Sequence, residues 1–229
     1  MAIDHRRRLV RPRAVPGALP PTWPVVPPLV TPRLRLRPVR PADGDDVVAL
    51  HGDPEVMRHL GTGRPVPPSQ VRGRDLPRLL ADHGPVPLGY WAAEDRATDA
   101  FIGWFELRPM VTEAVSAVEL GYRLRRAYWG RGLATEGARV LVDAVFTGTD
   151  VDEVVATTMA VNAGSRRVME KVGLTFRHTY TEEWPDPIPG AEHGEVEYAL
   201  ARADWRPLRP EPFHRRQPRQ APRFRRSRA

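Results

Sequence analysis

The stretch from Glu119 to Gly137 (ELGYRLRRAYWGRGLATEG) constrains the fold more than any other part of the chain. It begins with alternating apolar residues, Leu120, Tyr122 and Leu124, which predict a β-strand. A turn with two glycines follows, and the apolar residues after it recur at helical spacing. A strand, a glycine turn and a helix in this order leave backbone N–H groups unpaired at the positive end of a helix dipole. Such an end binds phosphate oxygens without a lysine side chain.

The glycine turn matches neither of the common nucleotide-binding motifs. The segment GRGLATEG lacks the spacing and the Lys-Ser/Thr pair of a P-loop, and it is not G-x-G-x-x-G. Gly130 and Gly132 are also compatible with a tight turn that binds nothing. The preceding strand and the residues farther along the chain favour the phosphate site.

The composition excludes several kinds of site. None of the 229 residues is cysteine, so the chain has no disulfide, no catalytic thiolate and no cysteine-based zinc site. His51, His83, His178 and His193 lack metal-ligand spacing, and we expect no metal. No apolar run approaches the roughly 18 residues of a membrane span, and no apolar leader segment follows the first arginines. These features predict a cytoplasmic protein that does not contact membranes.

The net charge of +7 is distributed unevenly. Residues 1–28 carry five arginines and one aspartate (+4), residues 206–229 carry nine arginines and one glutamate (+8), and residues 29–205 therefore carry −5. The Pro- and Arg-rich composition predicts a disordered arm at 1–28 and a disordered tail at 206–229, on either side of one folded domain. Arginine runs bind phosphate without sequence specificity. A weak association with RNA or the ribosome is one role for the two basic segments, and no function at all is the alternative.

The pattern between the basic segments predicts a mixed α/β domain with one continuous core. The predicted strands are residues 33–37, 88–93, 101–107, 119–124, 151–159, 175–181 and 195–201. The predicted helices are residues 47–50, 53–60, 69–82, 133–146 and 162–171. Pro77 predicts a break or kink in the third of these helices.

Several motifs in this order resemble the GNAT superfamily of N-acetyltransferases, and within it the RimJ/RimL-like (ribosomal-protein N-acetyltransferase-like) branch. They are TPRLRLRP from Thr31, DPEVMRHL from Asp53, ELGY from Glu119, YWGRGLATE from Tyr128 and NAGSRRVMEKVGL from Asn162. The resemblance covers about residues 30–205 and neither basic segment. It implies an α/β (α+β) fold with a mixed, mostly antiparallel, splayed central sheet of about six or seven strands flanked by helices. It also implies an acyltransferase that uses acetyl-CoA as co-substrate and acetylates a primary amine by direct attack on the thioester.

By the family pattern, main-chain groups of the glycine turn hold the CoA pyrophosphate. The residues that would form this cradle are Gly130, Arg131, Gly132, Leu133, Ala134 and Thr135. Relatives usually place Gln or Arg just before the first turn glycine, whereas this chain has Trp129. The resemblance therefore implies that the phosphate contact is made by the backbone alone.

Two further segments are implied to hold the rest of the cofactor. Tyr122, Arg123 and Leu124 would pair through their backbone with the pantetheine arm, which behaves as a strand added to a splayed sheet. Asn162 and Ser165 would hydrogen-bond the pantetheine or the thioester end.

The resemblance leaves the catalytic groups partly open. Glu119, on the cofactor strand, is the leading candidate for the base, and a solvated strand carboxylate is the alternative. Many relatives carry a tyrosine that protonates the leaving thiolate, but this chain has Met169 at that position. Protonation of the thiolate then falls to Ser165, to water or to no group at all. The alternative function of Ser165 is to cap the helix. Glu136 is interpreted as a first-turn helix charge.

The segment 182–197 carries six acidic residues and neither lysine nor arginine. The family pattern places it on the acceptor side, where it would attract a cationic acceptor such as an N-terminal amine, a polyamine or an aminosugar. A solvated loop is the alternative. Two other functions remain open, a catalytically weak CoA-binding module and a small-molecule (aminoglycoside or polyamine) acetyltransferase. The sequence does not identify the acceptor or decide between a monomer and a homodimer.

Overall fold

The structure is a computed structural model that describes residues 27–81, 87–110, 116–181 and 186–207. Its strands are β1 (Leu29–Val30), β2 (Leu34–Pro38), β3 (Gly89–Asp95), β4 (Phe101–Pro109), β5 (Ala117–Leu124), β6 (Glu153–Met159), β7 (Thr175–Tyr180) and β8 (Glu195–Ala201). Its helices are α1 (Gly44–His51), α2 (Pro54–Met57), α3 (Pro68–Gln70), α4 (Leu76–Leu79), α5 (Leu133–Gly148) and α6 (Ala163–Val172). Within these ranges no helix has the length and apolar character needed to cross a membrane. The basic segments lie almost wholly outside them, so the predicted division of the chain stays a prediction.

The strands form one sheet in the order β1-β2-β3-β4-β5-β6-β8-β7. All neighbouring strands are antiparallel except β5 and β6, which are parallel. The predicted mixed, mostly antiparallel sheet is confirmed. The described part of the chain has eight strands rather than six or seven, because the two-residue β1 is too short to give an alternation in the sequence.

β5 and β6 pair over only three residues. Residues 117–119 lie opposite residues 153–155. Beyond this point β5 continues to Leu124 beside β4, whereas β6 continues to Met159 beside β8. The sheet therefore splays into a fork between β5 and β6, and among the described residues each arm of the fork has one backbone edge without a partner strand.

The helix after the glycine turn, α5, packs on one face of the sheet through a glycine. Phe105 of β4 is fully buried, and a Cβ at Gly137 would come within 2.3 Å of its Cζ. Leu141 and Val145, one and two turns farther along α5, are also completely buried. The helix approaches the ring this closely because position 137 has no side chain, so Gly137 sets the distance between α5 and the sheet.

The opposite face of the sheet, covered by α1 and the segment 71–75, contains a buried polar network. His51 Nδ1 lies 3.0 Å from Asp75 Oδ2, and Trp104 Nε1 donates a hydrogen bond to His51 Nε2 at 3.2 Å. Burial lowers the pKa of His51, so the ring is neutral and carries its proton on Nδ1. Burial alone would raise the pKa of Asp75, but hydrogen bonds from His51 and Arg74 outweigh it and lower the pKa to about 2. The network fastens α1 and the segment 71–75 to β4.

The predicted break near Pro77 is confirmed. Residues Val71–Asp75, between α3 and α4, form a π-helical turn. Pro77 lies at the start of α4 and has no N–H, so a regular α-helical ladder cannot run through this point.

The start of α5 is tied to the N-terminal strands by the Glu136 clamp, which consists of Thr31, Arg33 and Glu136. One carboxylate oxygen of Glu136 accepts from Thr31 Oγ1 (2.6 Å) and Arg33 N (2.9 Å), and the other accepts from Arg33 Nε (2.7 Å). Arg33 Nη1 also donates to the carbonyl oxygen of Arg131 in the glycine turn (2.8 Å). Burial alone would raise the pKa of Glu136, but these hydrogen bonds outweigh it and lower the pKa. Glu136 occupies the first turn of α5 as predicted, and it also links segments more than 100 residues apart.

The contact between Gly137 and Phe105 predicts a stability change. Gly137→Ala should destabilise the protein by about 1–3 kcal/mol, because the added Cβ overlaps the buried ring. Gly148→Ala, at the end of the same helix, is the matched control, since nothing lies within 4 Å of a Cβ built there. Equilibrium unfolding in denaturant measures both variants. Equal stability of the two would show that this contact does not position α5.

The Glu136 clamp predicts a pH-dependent stability. Glu136→Gln should lower the unfolding free energy by about 1–2 kcal/mol, because a neutral amide accepts more weakly from the half-exposed Arg33. Folding lowers the pKa of Glu136, so its stabilisation is present above its ordinary pKa of 4.5 and is lost as the pH falls through the folded-state value. The difference between wild type and variant should therefore shrink as the pH falls below about 4.5.

Glu55→Gln serves as the control for this experiment. Glu55 pairs with Arg58 at 3.4 Å, and both side chains are largely exposed. Removing such a pair should change the unfolding free energy by less than about 0.5 kcal/mol. A Glu136→Gln effect that stays constant with pH would contradict the proposed role of the carboxylate charge.

Candidate active site

The glycine turn enters α5 through two residues with left-handed backbone angles. Gly130 has a φ of 72° and Gly132 a φ of 77°, values that other residues rarely adopt. Gly132 is the N-terminal cap of α5, and no side chain caps the helix there. Glu136 N bonds to Gly132 O at 3.0 Å, which leaves the N–H groups of residues 133–135 without an intrahelical acceptor. The start of α5 therefore has the free amides and the dipole of an anion-binding site.

Trp129 fastens this turn to the end of β5. Its indole Nε1 donates to the carbonyl oxygen of Leu124 at 2.8 Å, and its side chain is 41% exposed. The indole N–H is thus used inside the protein. This arrangement fits the expectation that a phosphate at the turn would meet only main-chain donors.

Tyr122, Arg123 and Leu124 all lie beyond the fork, in the part of β5 that pairs with β4 and no longer with β6. On the β6 side no strand of the described residues pairs with their backbone, and the Leu124 carbonyl oxygen there accepts from Trp129 Nε1. The side chains alternate between the two faces of the sheet. Leu124 is buried in the core beneath α5, whereas the Arg123 guanidinium carbon lies on the other face, 4.9 Å from the centre of the Trp104 ring.

Tyr122 and Ser165 meet between β5 and α6. Tyr122 Oη lies 2.9 Å from Ser165 Oγ and donates to the Ser165 carbonyl oxygen at 3.0 Å. Asn162 caps α6 by accepting from Ser165 N at 3.2 Å, and it also donates to Thr158 Oγ1 at 3.1 Å. The capping role that the sequence left open for Ser165 therefore belongs to Asn162. Met169 is 2% exposed and packs in the core.

Glu119 is the last residue of β5 that pairs with β6, and its side chain lies on the face opposite the Tyr122–Ser165 pair. Its Oε2 lies 2.6 Å from Arg108 Nη2, and its Oε1 accepts a long hydrogen bond of 3.4 Å from Thr157 Oγ1. The side chain is only 17% exposed, so Glu119 is not the solvated strand carboxylate of the alternative interpretation. The nearby guanidinium stabilises the charged form of this carboxylate.

Two charged residues of β4, Glu106 and Arg108, extend this face and were missed by the sequence analysis. Arg108 Nε donates to Glu106 Oε2 at 2.7 Å, so Arg108 bridges Glu106 and Glu119. Burial alone would lower the pKa of Arg108, but the two carboxylates outweigh it and raise the pKa.

A Cβ at Gly121 would lie 2.3 Å from Glu106 Oε1, so the glycine provides space for the buried carboxylate. The sequence did contain a signal for these residues, because Glu106 and Arg108 are a charged pair within an otherwise apolar predicted strand. We call Glu106, Arg108, Glu119 and Arg123 the polar strip.

A cleft of about 120 Å³ opens beside Glu119. Its lining comes from the loop after α2 at residues 59–61, the end of β6 at residues 157–159, the end of β7, and parts of residues 186–195. Thr157 belongs to the lining and also donates to Glu119, so the cleft adjoins that carboxylate. The cleft therefore lies next to the arm of the fork formed by β6.

The predicted acidic loop contributes to this cleft only in part. Asp186 and Glu195 line it, whereas Glu182 and Glu183 lie outside the described residues. Glu197 instead pairs with Arg177 of β7 at 3.5 Å, which corrects the expectation that these acids face no arginine. Because its charged lining residues are the two carboxylates, we call this cavity the acidic cleft.

Two of the described histidines lie in buried or cleft positions. His51 belongs to the buried network, and His59 lines the acidic cleft, where burial lowers its pKa and keeps the ring neutral. Over the ranges that the structure covers, no group of three His, Asp or Glu side chains is placed to hold a metal ion.

Known proteins resemble this chain in sequence and in structure. A family model described as an acetyltransferase (GNAT) domain matches residues 33–175. The FsC-acetyl coenzyme A-N(2)-transacetylase of Aspergillus fumigatus is 33% identical in an alignment of 185 positions that covers 78% of this chain and 78% of that protein. A family match over more than half of the chain and a relative with this identity and coverage establish the family.

Two solved structures show the same fold. The ribosomal-protein-S5-alanine acetyltransferase of Vibrio fischeri superposes with a TM-score of 0.62 at 17% identity, over 79% of this chain and 99% of that protein. The spermidine N-acetyltransferase of Vibrio cholerae, solved with CoA and spermine, has a TM-score of 0.62 at 17% identity, over 75% and 96% of the two chains. The splayed sheet, the glycine turn and these similarities agree, and the chain belongs to the GNAT family of acetyltransferases.

Proposed function

We propose that this protein transfers the acetyl group of acetyl-CoA to a primary amine of a cationic acceptor bound in the acidic cleft. Family membership gives the reaction class, an acyltransferase that uses acetyl-CoA. One observation supports the rest of the proposal. The free amides of α5, the open edge of β5, Glu119 and the acidic cleft follow one another along the fork.

The residues predicted to hold CoA suit that role. The amides of residues 130–135 offer hydrogen-bond donors to a diphosphate at the positive end of the α5 dipole. The backbone edge of residues 122–124 that faces β6 offers the pairing that an extended pantetheine arm requires, except at the Leu124 carbonyl oxygen, which accepts from Trp129. Trp129 closes the turn, and Asn162 orients the first turn of α6 so that Ser165 faces β5. When bound, acetyl-CoA supplies the reactive thioester.

The acceptor nitrogen must lose a proton before it attacks the thioester. At pH 7 this costs roughly 4–5 kcal/mol for a lysine-type amine and about 1–1.5 kcal/mol for an α-amine. We assign the role of base to Glu119, which adjoins the acidic cleft through Thr157. Its ion pair with Arg108 holds the carboxylate in place. The smaller deprotonation cost makes an α-amine the better match to a single carboxylate base.

The leaving CoA sulfur must gain a proton as the C–S bond breaks. Ser165 Oγ and Tyr122 Oη, 2.9 Å apart, are hydroxyl groups on the α6 side of the fork. Burial raises the pKa of Tyr122, so its hydroxyl stays protonated. We assign proton donation to Ser165, which then regains a proton from solvent water, while Tyr122 holds Ser165 in place through its hydrogen bond to the Ser165 carbonyl oxygen. This pair would take the role that many relatives give to a tyrosine at the position of Met169.

The charge of the acidic cleft supports a cationic acceptor. Asp186 and Glu195 contribute negative charge, and the described lining includes neither lysine nor arginine. The relatives compared above are named for acetylating FsC at N(2), ribosomal-protein-S5 alanine and spermidine. We propose a protein N-terminal α-amine or a small cationic amine as the acceptor, and an aminoglycoside or polyamine is the small-molecule alternative.

A second candidate function is a CoA-binding module with little turnover. The buried Met169 supports it, because the usual proton donor is missing from that position. Release of CoA thiol in the presence of a panel of primary amines decides between the two. Binding of acetyl-CoA without any thiol release would favour the second candidate.

The basic segments and the cellular setting are also proposals. We propose a cytoplasmic enzyme, monomeric or homodimeric, whose basic segments 1–28 and 206–229 give weak association with RNA or the ribosome. Removing residues 206–229 should then reduce RNA retention at low salt. Unchanged retention would remove this role for the tail.

Cofactor binding is tested at the glycine turn. Gly132→Val should raise the dissociation constant of acetyl-CoA at least about tenfold, because a β-branched residue is strained at a φ of 77° and covers the free amides. Gly61→Val is the matched control, since Gly61 also has a positive φ (57°) and open space around it but lies outside the turn. Isothermal titration calorimetry measures both. Unchanged affinity in Gly132→Val, or no heat with the wild type, would contradict the cofactor site.

The cationic acceptor is tested at the acidic cleft. With spermidine as the probe, Asp186→Asn should raise the acceptor KM about three- to tenfold at low salt, because one attracting charge is lost. Glu192→Gln should have little effect, since Glu192 is 68% exposed and is not part of the lining. Steady-state kinetics at several ionic strengths measure both variants. A wild-type KM that does not change with salt would show that the cleft does not recognise charge.

A further inference from the structure

The acidic cleft and the carboxylate of Glu119 are connected by the hydroxyl group of Thr157. Thr157 lines the cleft, whereas Glu119 is not part of its described lining. The Thr157 hydroxyl donates its hydrogen to Glu119 Oε1 at 3.4 Å. An amine bound among the lining residues therefore meets Thr157 before it meets the carboxylate that we assign as the base.

The register of the strands explains this placement. Glu119 of β5 lies opposite Val155 of β6, so their side chains share one face of the sheet. Thr157 is two residues farther along β6 and lies on the same face, just beyond the point where the fork opens. Met159, two residues farther again, lies opposite Glu195 of β8, and both residues line the cleft. Thr157 thus stands on β6 between Glu119 and the cleft.

The Thr157 hydroxyl has the capacity for a second hydrogen bond. A threonine hydroxyl has one hydrogen and two lone pairs. The hydrogen is directed to Glu119, and in the part of the chain that the structure describes no other group bonds to this oxygen. The side chain is half-buried and lines the cleft, so an amine bound there can donate to the oxygen. A hydroxyl with a carboxylate on one side and an amine on the other can pass a proton between them.

Arg108 orients Glu119 for this contact. Arg108 Nη2 lies 2.6 Å from Glu119 Oε2, and Thr157 Oγ1 lies 3.4 Å from Glu119 Oε1. The guanidinium thus holds one carboxylate oxygen, and the other is directed to Thr157. A separation of 3.4 Å is long for a hydrogen bond, but bonds between catalytic groups are often long until the substrate binds.

The other polar groups of the cleft hold the acceptor without removing its proton. Asp186 and Glu195 attract an ammonium group, and His59 does not repel it, because burial lowers the pKa of His59 and keeps the ring neutral. Attraction favours the charged form of the amine, which cannot attack a thioester. Transfer therefore requires a route by which the proton leaves the cleft for the base.

We propose that Thr157 is a catalytic residue that relays a proton from the acceptor amine to Glu119. The inference rests on the proposed function, since it adds a residue to the same reaction. The ammonium N–H bond breaks as the Thr157 oxygen takes the proton, and the Thr157 O–H bond breaks as its hydrogen passes to Glu119 Oε1. The nitrogen keeps the electron pair with which it attacks the thioester carbon. Glu119 later releases its proton to solvent, and the Thr157 hydroxyl turns back toward the carboxylate.

Thr157→Val tests the relay, because valine has nearly the shape of threonine but no hydroxyl. The probes are spermidine and a short peptide that begins with alanine, each at saturating acetyl-CoA. At pH 7 the variant should lower kcat at least about tenfold, since the proton transfer is lost. The acceptor KM should change less than about twofold, because the groups that bind the acceptor remain. Thr157→Ser keeps the hydroxyl and should retain most of the activity.

The loss should depend on pH, which a purely structural role of Thr157 would not produce. An α-amine has a pKa near 8, so about one tenth of the peptide is neutral at pH 7 and nearly all of it at about pH 9.5. A neutral amine attacks without the relay. The ratio of wild-type to variant kcat/KM should therefore fall from about tenfold at pH 7 to about twofold or less at pH 9.5. A ratio that stays constant over this range would overturn the relay.

A double variant tests whether Thr157 acts through Glu119. Once Glu119→Gln has removed the base, adding Thr157→Val should cause no further loss of kcat, because residues that act as a unit are not additive. Effects that multiply would overturn the relay. Thr179→Val is the matched control, since Thr179 is an exposed residue of β7 outside the described lining of the cleft. This variant should leave kcat and its pH dependence unchanged.

The outcomes separate this inference from the proposed function. A wild type that releases no thiol with either probe contradicts the proposed function, and the relay falls with it. An active wild type with an equally active Thr157→Val overturns the relay alone. If a melting curve shows that Thr157→Val does not fold, Thr157→Ala takes its place in the same comparisons.

Discussion

The limited pairing of β5 with β6 is the constraint on which the whole site depends. Three residue pairs join the two strands, after which β5 follows β4 and β6 follows β8. Each arm of the fork is therefore held from its outer side by a full antiparallel ladder, and the gap is part of the fold. Pairing that continued past Glu119 would cover the backbone edge that an extended cofactor arm requires. A site built into the sheet in this way needs little reorganisation when a ligand binds.

The two faces of the sheet supply different chemistry to this gap. On the α6 side, Tyr122 and Ser165 provide neutral hydroxyl groups in a largely apolar setting. On the other side, the polar strip supplies alternating charges, and Arg108 joins two of its carboxylates. The strand period of two produces this division, since neighbouring residues of β5 point to opposite faces. One strand thus separates a face with neutral hydroxyl groups from a face with charged groups.

Local patterns in the sequence were sufficient for the features that arise from neighbouring residues. The alternation in β5, the two turn glycines and the helical stripe of α5 have periods that can be counted directly, and each appears as predicted. The contacts between distant segments could not be predicted in this way. Glu106 and Glu119 share Arg108 only because of the strand register, and Glu197 meets Arg177 only because β7 pairs with β8.

The same limit applies to single residues of the candidate site. In the sequence, Gly121 looks like an ordinary strand residue of the ELGY motif. Only the structure shows that it leaves space for the buried carboxylate of Glu106. The sequence fits Ser165 equally well as a helix cap or as an active-site hydroxyl. The structure shows that Asn162 caps the helix. The roles of Glu119, Ser165 and the turn amides in binding and catalysis are still predictions.

The Glu136 clamp also has a consequence for the order in which the protein assembles. Thr31 and Arg33 join the start of α5 across 103–105 residues of chain, so the glycine turn acquires its final support only after a loop of this size has closed. Contacts between such distant residues form slowly and carry a large loop-closure entropy. A partly folded chain that lacks the first strands would have the glycine turn but not its anchor. Affinity for the nucleotide end of the cofactor would then report the completion of folding, and a saturating cofactor would shift the folding equilibrium of the entire domain.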